Sequence, residues 1–250
     1  MRQFGLIGYP LVHSFSEKYF LEKFRNEFIY NASYKNYPIK SIDQLPDLIN
    51  ETPNLLGLNV TIPYKKEVIR YLDVIDKEAL EVGAVNVIKI VRRNDKILLK
   101  GFNSDIYGFK ESLKPLIDSH IRQAIVLGTG GGSSAVAYVL SSMRIPVIFV
   151  SRSNKENSIT YNDITEELVS SSHLIVNTTP LGMFPETDKK PEIPYHALTS
   201  GHILYDLIYN PSETLFLKEG KKRGCRTING LEMLKLQAEK SWQIWNDDSV

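Results

Sequence analysis

Apolar residues along this chain come in short runs, each closed by glycine, proline or polar residues, and stretches with apolar positions three or four apart lie between them. The runs read as buried strands and the stretches as helices that cover them. Residues 4–7 form the first run, closed by Gly8-Tyr9-Pro10, and Phe20, Phe24 and Phe28 then mark one face of a helix. A second run at 33–39, a helix at 42–50 and a third run ending at Thr61 follow. Strand and helix in alternation imply parallel pairing through right-handed crossovers. The stretches 81–91 and 96–99 predict two strands joined by a turn at 92–95, and a helix to about residue 117 leads into the next half.

The second half continues the alternation. A strand from residue 124 empties into Gly128-Thr129-Gly130-Gly131-Gly132, and a helix at 135–143 and a strand at 147–150 follow. The stretches 174–183 and 203–211 are each a strand running into a polar turn, with a proline-rich loop at 185–194 between them. A helix at 213–222, a short run at Thr227-Ile228 and an amphipathic helix over 230–245 complete the pattern. Polar residues thus gather at strand ends, where open α/β sheets place their ligands.

Composition narrows the class. With 250 residues, 42% hydrophobic and 24% charged, the chain can bury a full core as one large globular domain or two modest ones. Its 30 basic and 29 acidic residues give a net charge of +1, which offers nothing to a polyanion, so nucleic acid is not an expected partner. The N-terminal apolar run is too short for a signal peptide, and no stretch nears the ~18 apolar residues of a membrane span. Cys225 is the single cysteine, so there is no intrachain disulfide. His13, His120, His173, His196 and His202 are scattered without metal-ligand spacing. A cytoplasmic protein with no bound metal and no membrane contact is expected.

Chemistry concentrates first in residues 124–135, a strand, four glycines in five positions and then helix formers. Gly128 can take the tight turn off the strand, and Gly130 lets the backbone approach a pyrophosphate held by the N–H groups and dipole of the new helix. Ser133 stands at the third fingerprint position, so the match is G-x-G-x-x-S, which a mere tight turn also satisfies. About 20 residues after the first glycine, where an acid would hold the ribose of NAD, stands Ser151-Arg152-Ser153. A guanidinium between two hydroxyls suits a 2′-phosphate, so the coenzyme expected is NADP.

Three further stretches carry two readings each. Ser14 to Glu17 fits a helix capping box, while Ser14 and Ser16 could equally donate to a carboxylate. Asn59, Thr61 and Lys65 lie at or just past a strand's carboxyl end. Lys65-Lys66 is either a solvated first helical turn or, set against the helix dipole, a pair with another use. In Gly101-Phe102-Asn103-Ser104-Asp105-Ile106-Tyr107-Gly108, Ser104 or Asp105 caps a helix or serves a site.

In order and spacing these motifs resemble those of the shikimate dehydrogenases, from about residue 3 to 245. Gly8 to Ser16 is similar to the family's G-x-P…H-S-x-S, and Asn59 to Lys65 to its N-V-T-x-P-[FY]-K. Gly83-Ala84-Val85-Asn86 resembles G-A-V-N, residues 101–108 G-x-N-[ST]-D-x-x-G, residues 177–183 N-[AT]-[TS]-P-x-G-M, and residues 230–237 G-x-x-M-L-x-x-Q. Val87 stands where the family often has Thr, Ser151-Arg152-Ser153 replaces the commoner N-R-T, and Thr129 and Gly132 vary the usual G-A-G-G-A.

The resemblance implies Lys65 and Asp105 as the catalytic pair. Ser14, Ser16, Asn59, Thr61, Asn86, Tyr209 and Gln237 would hold the substrate. Gly128, Thr129, Gly130, Gly131, Gly132, Ser151, Arg152, Ser153 and Thr178 would carry the coenzyme, with Leu207 and Gly230 near its nicotinamide. It implies two α/β domains. Residues 1–104, completed by the C-terminal helix 231–250, would be the substrate domain, and residues 105–230 a doubly wound, Rossmann-like NADP domain, with the active site in the cleft between. The implied reaction is reversible, NADPH-dependent reduction of 3-dehydroshikimate to shikimate in aromatic amino acid biosynthesis, by a monomer or homodimer. An NAD-dependent quinate or shikimate dehydrogenase and a non-catalytic NADP-binding regulatory module are the alternatives.

Overall fold

The computed structural model describes residues 1–11, 15–94 and 96–247. Its elements begin with β1 (Arg2–Gly8), α1 (Phe15–Asn26), β2 (Ala32–Pro38), α2 (Leu45–Glu51), β3 (Leu55–Val60), β4 (Val74–Ile75), α3 (Lys77–Val82), β5 (Val87–Arg93), β6 (Lys96–Phe102) and α4 (Ser104–Leu113). They continue with β7 (Ala124–Leu127), α5 (Gly131–Ser142), β8 (Val147–Ser151), β9 (Ser158–Thr160), α6 (Glu166–Ser171), β10 (Leu174–Asn177), β11 (Ile203–Asp206), α7 (Leu215–Lys222), β12 (Arg226–Ile228) and α8 (Leu231–Asn246). The chain divides into two compact units, Met1–Tyr107 with Lys235–Val250, and Gly108–Leu234.

The first unit holds a sheet of order β2-β1-β3-β5-β6-β4. As the alternation implies, β1 runs parallel to β2 and β3, and β5 and β6 form the expected hairpin. Because β5 is also antiparallel to β3, Asn59 lies opposite Val87 and Val87 opposite Phe102. The last residues of β3 and β6 and the first of β5 therefore share one end of the sheet.

Several boundaries differ from the sequence pattern. Glu81 and Val82 close α3 rather than open a strand, because Gly83 takes a left-handed φ of 67° and caps that helix. The helix expected over 42–50 splits into a 3₁₀ turn, Ile42–Gln44, capped by Ser41, and α2 with Pro46 in its first turn. Phe28 does not continue the stripe of Phe20 and Phe24. α1 stops at Asn26, Phe28 takes the left-handed position with φ 58°, and Ile29 N–H returns to Phe24 O at 2.8 Å. In such a helix end the residue after the left-handed one carries the apolar contact, so Ile29 packs on the core and Phe28 faces out.

The C-terminal part of α8 belongs to this unit and completes its aromatic core. Phe20 stacks on Tyr34 at 4.5 Å and Phe4 on Trp245 at 4.9 Å. A Cβ at Gly57 would collide with the Trp245 indole, so only glycine lets the ring lie against β3, where its Nε1 donates to Ile88 O at 3.0 Å. Packing and hydrogen bonds to β1, β3 and β5 thus hold α8 in register with the sheet.

The second unit holds a sheet of order β12-β11-β10-β7-β8-β9, parallel throughout. The chain winds outward from β7 through β8 and β9, then returns to β10 and winds the other way. A ligand belongs at the switch, outside the carboxyl ends of β7 and β10. β9 and α6 have no counterpart in the sequence pattern because three and six residues are too few to show a period. α5 begins at Gly131, four residues before the expected start, because glycine is a poor helix former and hides the first turn.

Three histidines far apart in sequence converge at the amino ends of β10 and β11. His173 lies between His120 and His202, with ring centroids 5.4 and 5.6 Å away. Burial, then the neighbouring His202 and His120, hold the His173 imidazole below its ordinary pKa. Among the described residues no group of His, Cys, Asp and Glu is placed to hold a metal ion. No helix is long and apolar enough to cross a membrane.

Candidate active site

In the first unit the shared sheet end gathers motifs that lie far apart in sequence. Lys65, in the turn after β3, places Nζ 2.7 Å from Asp105 Oδ2 in the first turn of α4. The Asp105 side chain is 3% exposed and that of Lys65 21%. Lys65 is therefore not part of a solvated α-helical turn; a 3₁₀ segment, Glu67–Tyr71, begins only after Lys66. Nor do Ser104 and Asp105 cap α4. Asn103 does, its Oδ1 accepting from Ile106 N at 3.3 Å, which leaves Asp105 free to face Lys65.

Asn86 fixes the other side of the carboxylate. Its Oδ1 accepts from the Ser104 backbone N–H at 2.6 Å, and a backbone N–H can only donate, so the amide orientation is set. The Asn86 Nδ2 must then face Asp105 Oδ1, to which it donates at 2.8 Å. Both Asp105 oxygens accept, one from an amide and one from an ammonium, an arrangement suited to the anion.

Behind this pair lies a chain of hydroxyls and amides. Ser104 Oγ meets Ser241 Oγ of α8 at 3.3 Å, and Ser241 Oγ donates to Gln237 O at 2.8 Å. Asn59 Nδ2 donates to Ser241 Oγ at 2.9 Å, and Tyr34 OH donates to Asn59 Oδ1 at 2.8 Å. Ser16 is a further hydrogen-bond partner of Tyr34, whose hydroxyl burial pushes well above the usual tyrosine range. Ser104 and Ser241 are fully buried. Ser104 lies in the segment 101–108 that the sequence marks, but neither Ser241 nor Tyr34 stands out, because a serine on a helix and a tyrosine in a strand fit plain packing.

The remaining substrate candidates divide. Thr61 follows β3 directly and Gln237 lies on α8; neither side chain bonds to a described residue. Ser14 lies outside the described residues, and with it the capping reading of Ser14 to Glu17. Tyr209 belongs to the second unit, half-buried in the turn after β11, and burial raises its pKa.

In the second unit the coenzyme candidates converge at the switch point. Gly128 has φ 107°, and a Cβ there would press on Thr178 Oγ1, which donates to Leu127 O at 2.6 Å. Gly130 is the N-cap of α5 and makes no side-chain cap, so the helix's first N–H groups have no such partner. No described atom stands within 4 Å of a Cβ placed on Gly130. Its φ of −90° is open to any residue, so neither packing nor backbone strain requires the glycine. An anion drawn close to the backbone would require it, so the loop fits the phosphate bridge of a dinucleotide. A Cβ at Gly230 would collide with Leu207 O, and one at Gly132 would meet Leu207 Cδ2 at 3.3 Å, which brings Leu207 and both glycines together.

β8 ends on buried Ser151, followed by exposed Arg152 and Ser153. Lys155 is a residue the sequence pattern does not single out. Its Nζ donates to Thr129 Oγ1 at 3.1 Å, which brings a second cation to the glycine loop.

Comparison with known proteins agrees with both halves. Residues 6–88 match the family model described as the shikimate dehydrogenase substrate binding domain. An NADP(+)-dependent shikimate dehydrogenase of Methanococcus aeolicus is 37% identical over 258 residues, covering 96% of this chain and 90% of that protein. That of Caldanaerobacter subterraneus subsp. tengcongensis is 35% identical, covering 98% and 91%. The crystal structure of the Aquifex aeolicus shikimate dehydrogenase superposes with a TM-score of 0.86 at 32% identity, covering 100% of this chain and 94% of that one. The Thermus thermophilus enzyme in complex with NADP(H) and shikimate gives 0.84 at 28% identity, covering 98% and 94%.

Proposed function

The chain belongs to the shikimate dehydrogenase family, and on that premise we propose that Lys65 and Asp105 are its catalytic pair and that each unit supplies half of the reaction's groups. The protein is an NADP-dependent oxidoreductase acting on a CH–OH group, interconverting shikimate and 3-dehydroshikimate. The first unit is the substrate-binding domain and the second the coenzyme domain, a division supported by the family match over residues 6–88 and by the doubly wound sheet.

NADPH, when bound, supplies the hydride. Gly128 to Gly132 would hold its pyrophosphate, Arg152 with Ser151, Ser153 and Lys155 its 2′-phosphate, and Thr178, Leu207 and Gly230 would line its nicotinamide end. As the ketone carbon gains hydride, its oxygen gathers negative charge and needs a proton donor. The Lys65 ammonium is that donor, and Asp105 aims it. In the oxidising direction the neutral amine takes the hydroxyl proton. Thr61, Gln237, Ser14, Ser16 and Tyr209 would contact the substrate's carboxylate and hydroxyls. Asn59 and Asn86 act chiefly as the frame, since their amide groups are already spent on Tyr34, Ser241, Ser104 and Asp105. A reducing cytoplasm suits buried, disulfide-free Cys225.

The observation that carries the catalytic assignment is the 2.7 Å pair of a partly exposed lysine and a buried aspartate oriented by Asn86. The test is coenzyme reduction with shikimate and quinate, each with NADP and NAD. Fastest turnover with shikimate and NADP is expected; a preference for NAD or for quinate would overturn the assignment of substrate and coenzyme.

A further inference from the structure

Asp206, the last residue of β11, is fully buried, and no step of the proposed reaction uses it. Its carboxylate collects three donors. Oδ1 accepts from Asn177 Nδ2 at 3.0 Å and from Ile208 N–H at 3.1 Å, and Oδ2 accepts from Thr214 Oγ1 at 2.6 Å. Among the described residues it has no ion-pair partner. Burial, the leading influence, pushes its pKa up to about 6, while the three hydrogen bonds pull it down.

Asn177 ends β10, and Ile208 and Thr214 lie in the segment that follows β11. Asn177 passes the restraint on, its Oδ1 accepting from Thr179 N–H at 3.0 Å and Thr179 Oγ1 at 2.7 Å, which shapes the turn after β10. Ile208 N–H shapes the turn after β11. Thr214 also caps α7. Thr178 lies between Asn177 and Thr179, and Leu207 between Asp206 and Ile208. Leu207 N–H further donates to Asn177 O at 3.0 Å.

We propose that Asp206 is the positioning residue of the coenzyme site, its carboxylate orienting the two turns that carry Thr178 and Leu207 and so setting how tightly NADP is held. This rests on the reading of those residues as coenzyme contacts. Three converging donors use both oxygens; an asparagine would keep one oxygen for Asn177 and Ile208 and set its NH₂ against Thr214 Oγ1, which would have to turn from donor to acceptor. A buried charge without a cation is an expensive scaffold, since packed apolar residues commonly do as well or better. That expense points to a function in the turns it holds.

The experiment compares Asp206→Asn, Thr214→Val and Thr214→Ser, reading the NADPH dissociation constant by nucleotide fluorescence and Tm by melting. Asp206→Asn is expected to weaken NADPH binding on the order of 10-fold and Thr214→Val by roughly 3- to 10-fold, less than the full worth of a hydrogen bond to a charged group because the effect reaches the coenzyme only through the turns. Thr214→Ser keeps the hydroxyl and should bind nearly as the wild type. A lowered Tm with unchanged NADPH affinity in Thr214→Val would overturn the proposal, and that variant decides the matter if Asp206→Asn fails to fold. Neither readout depends on turnover. A wild type that binds NADPH but does not turn over shikimate would count against the substrate assignment and leave this test standing.

Discussion

Two buried aspartates, one in each unit, are held in opposite ways. Asp105 is bridged by the Lys65 ammonium and the Asn86 amide, and Asp206 by an amide, a backbone N–H and a hydroxyl without any cation among the described residues. On the catalytic roles proposed for Lys65 and Asp105, the carboxylate of the first unit serves its partner, because a lysine that gives and takes protons needs a fixed anion to aim it. On the same reading the second unit exchanges no proton with substrate, and the proposed role of its carboxylate is to draw two turns toward one point. A paired charge and an unpaired one would then distinguish the unit proposed for the chemistry from the unit proposed to grip the coenzyme.

Breaking the Lys65–Asp105 pair should have the largest effect of any change. Lys65→Ala should lower kcat by about 10²–10⁴-fold, the usual worth of a positioned acid–base group, with a smaller change in shikimate KM. It should also cost stability, since Asp105 is left buried without its cation. Asp105→Asn keeps the shape and removes the charge, so kcat should fall comparably while the protein stays folded. Steady-state kinetics with saturating NADP checks both, and near-wild-type turnover of either variant would break the assigned pair.

The contrast also marks what the sequence makes legible. Asp105 could be found because its neighbours are local: Gly101 to Gly108 resembles a family segment, and Lys65 sits in another. The frame around them was only partly visible: Ser104 sits beside Asp105 in the same segment, but Tyr34 and Ser241 come from distant segments and reach it only once β5 pairs antiparallel to β3 and α8 docks. Asp206 stands at a strand end visible in the pattern, yet nothing in its sequence neighbours shows that Asn177 and Thr214 converge on it. Phe28 shows a different failure: its four-residue spacing from Phe24 mimics a helix face, while the left-handed helix end hands that contact to Ile29. The longer strands, the parallel pairing of β1 with its neighbours and the glycine loop were legible from local signals; the short strands and the long-range hydrogen bonds were not.

A middle-sized effect should come from the coenzyme side. Arg152 is exposed, so its contribution depends on the charge it meets and not on packing. Arg152→Ala should weaken NADP binding by about 10- to 150-fold, the scale of a hydrogen bond between charged groups, and leave NAD nearly unchanged. KM for both coenzymes, at one fixed salt concentration because exposed charges are screened, provides the check. Equal losses for NADP and NAD would show that Arg152 shapes the loop and does not read the phosphate.

The smallest effect isolates the cost of leaving Asp206 without a cation. Its pKa rises from the ordinary aspartate value of 3.8 to about 6 in the folded protein. A carboxyl that binds its proton more tightly when folded contributes stability that is complete below about pH 3.8 and is lost as pH rises through about 6. Between pH 5 and pH 7 that loss is about 1 kcal/mol. His173 acts in the opposite direction. Its lowered pKa means that the unfolded chain takes up the proton first, so its contribution fades as pH falls below about 6.5. The wild-type stability curve therefore mixes both, but His173 is common to wild type and Asp206→Asn and cancels in their difference. Urea unfolding of the two proteins across this range should show the wild type losing about 1 kcal/mol relative to Asp206→Asn from pH 5 to 7, with little further change above. A difference that stays flat would mean that the three neutral donors offset the burial of the Asp206 anion, so that folding does not raise its pKa.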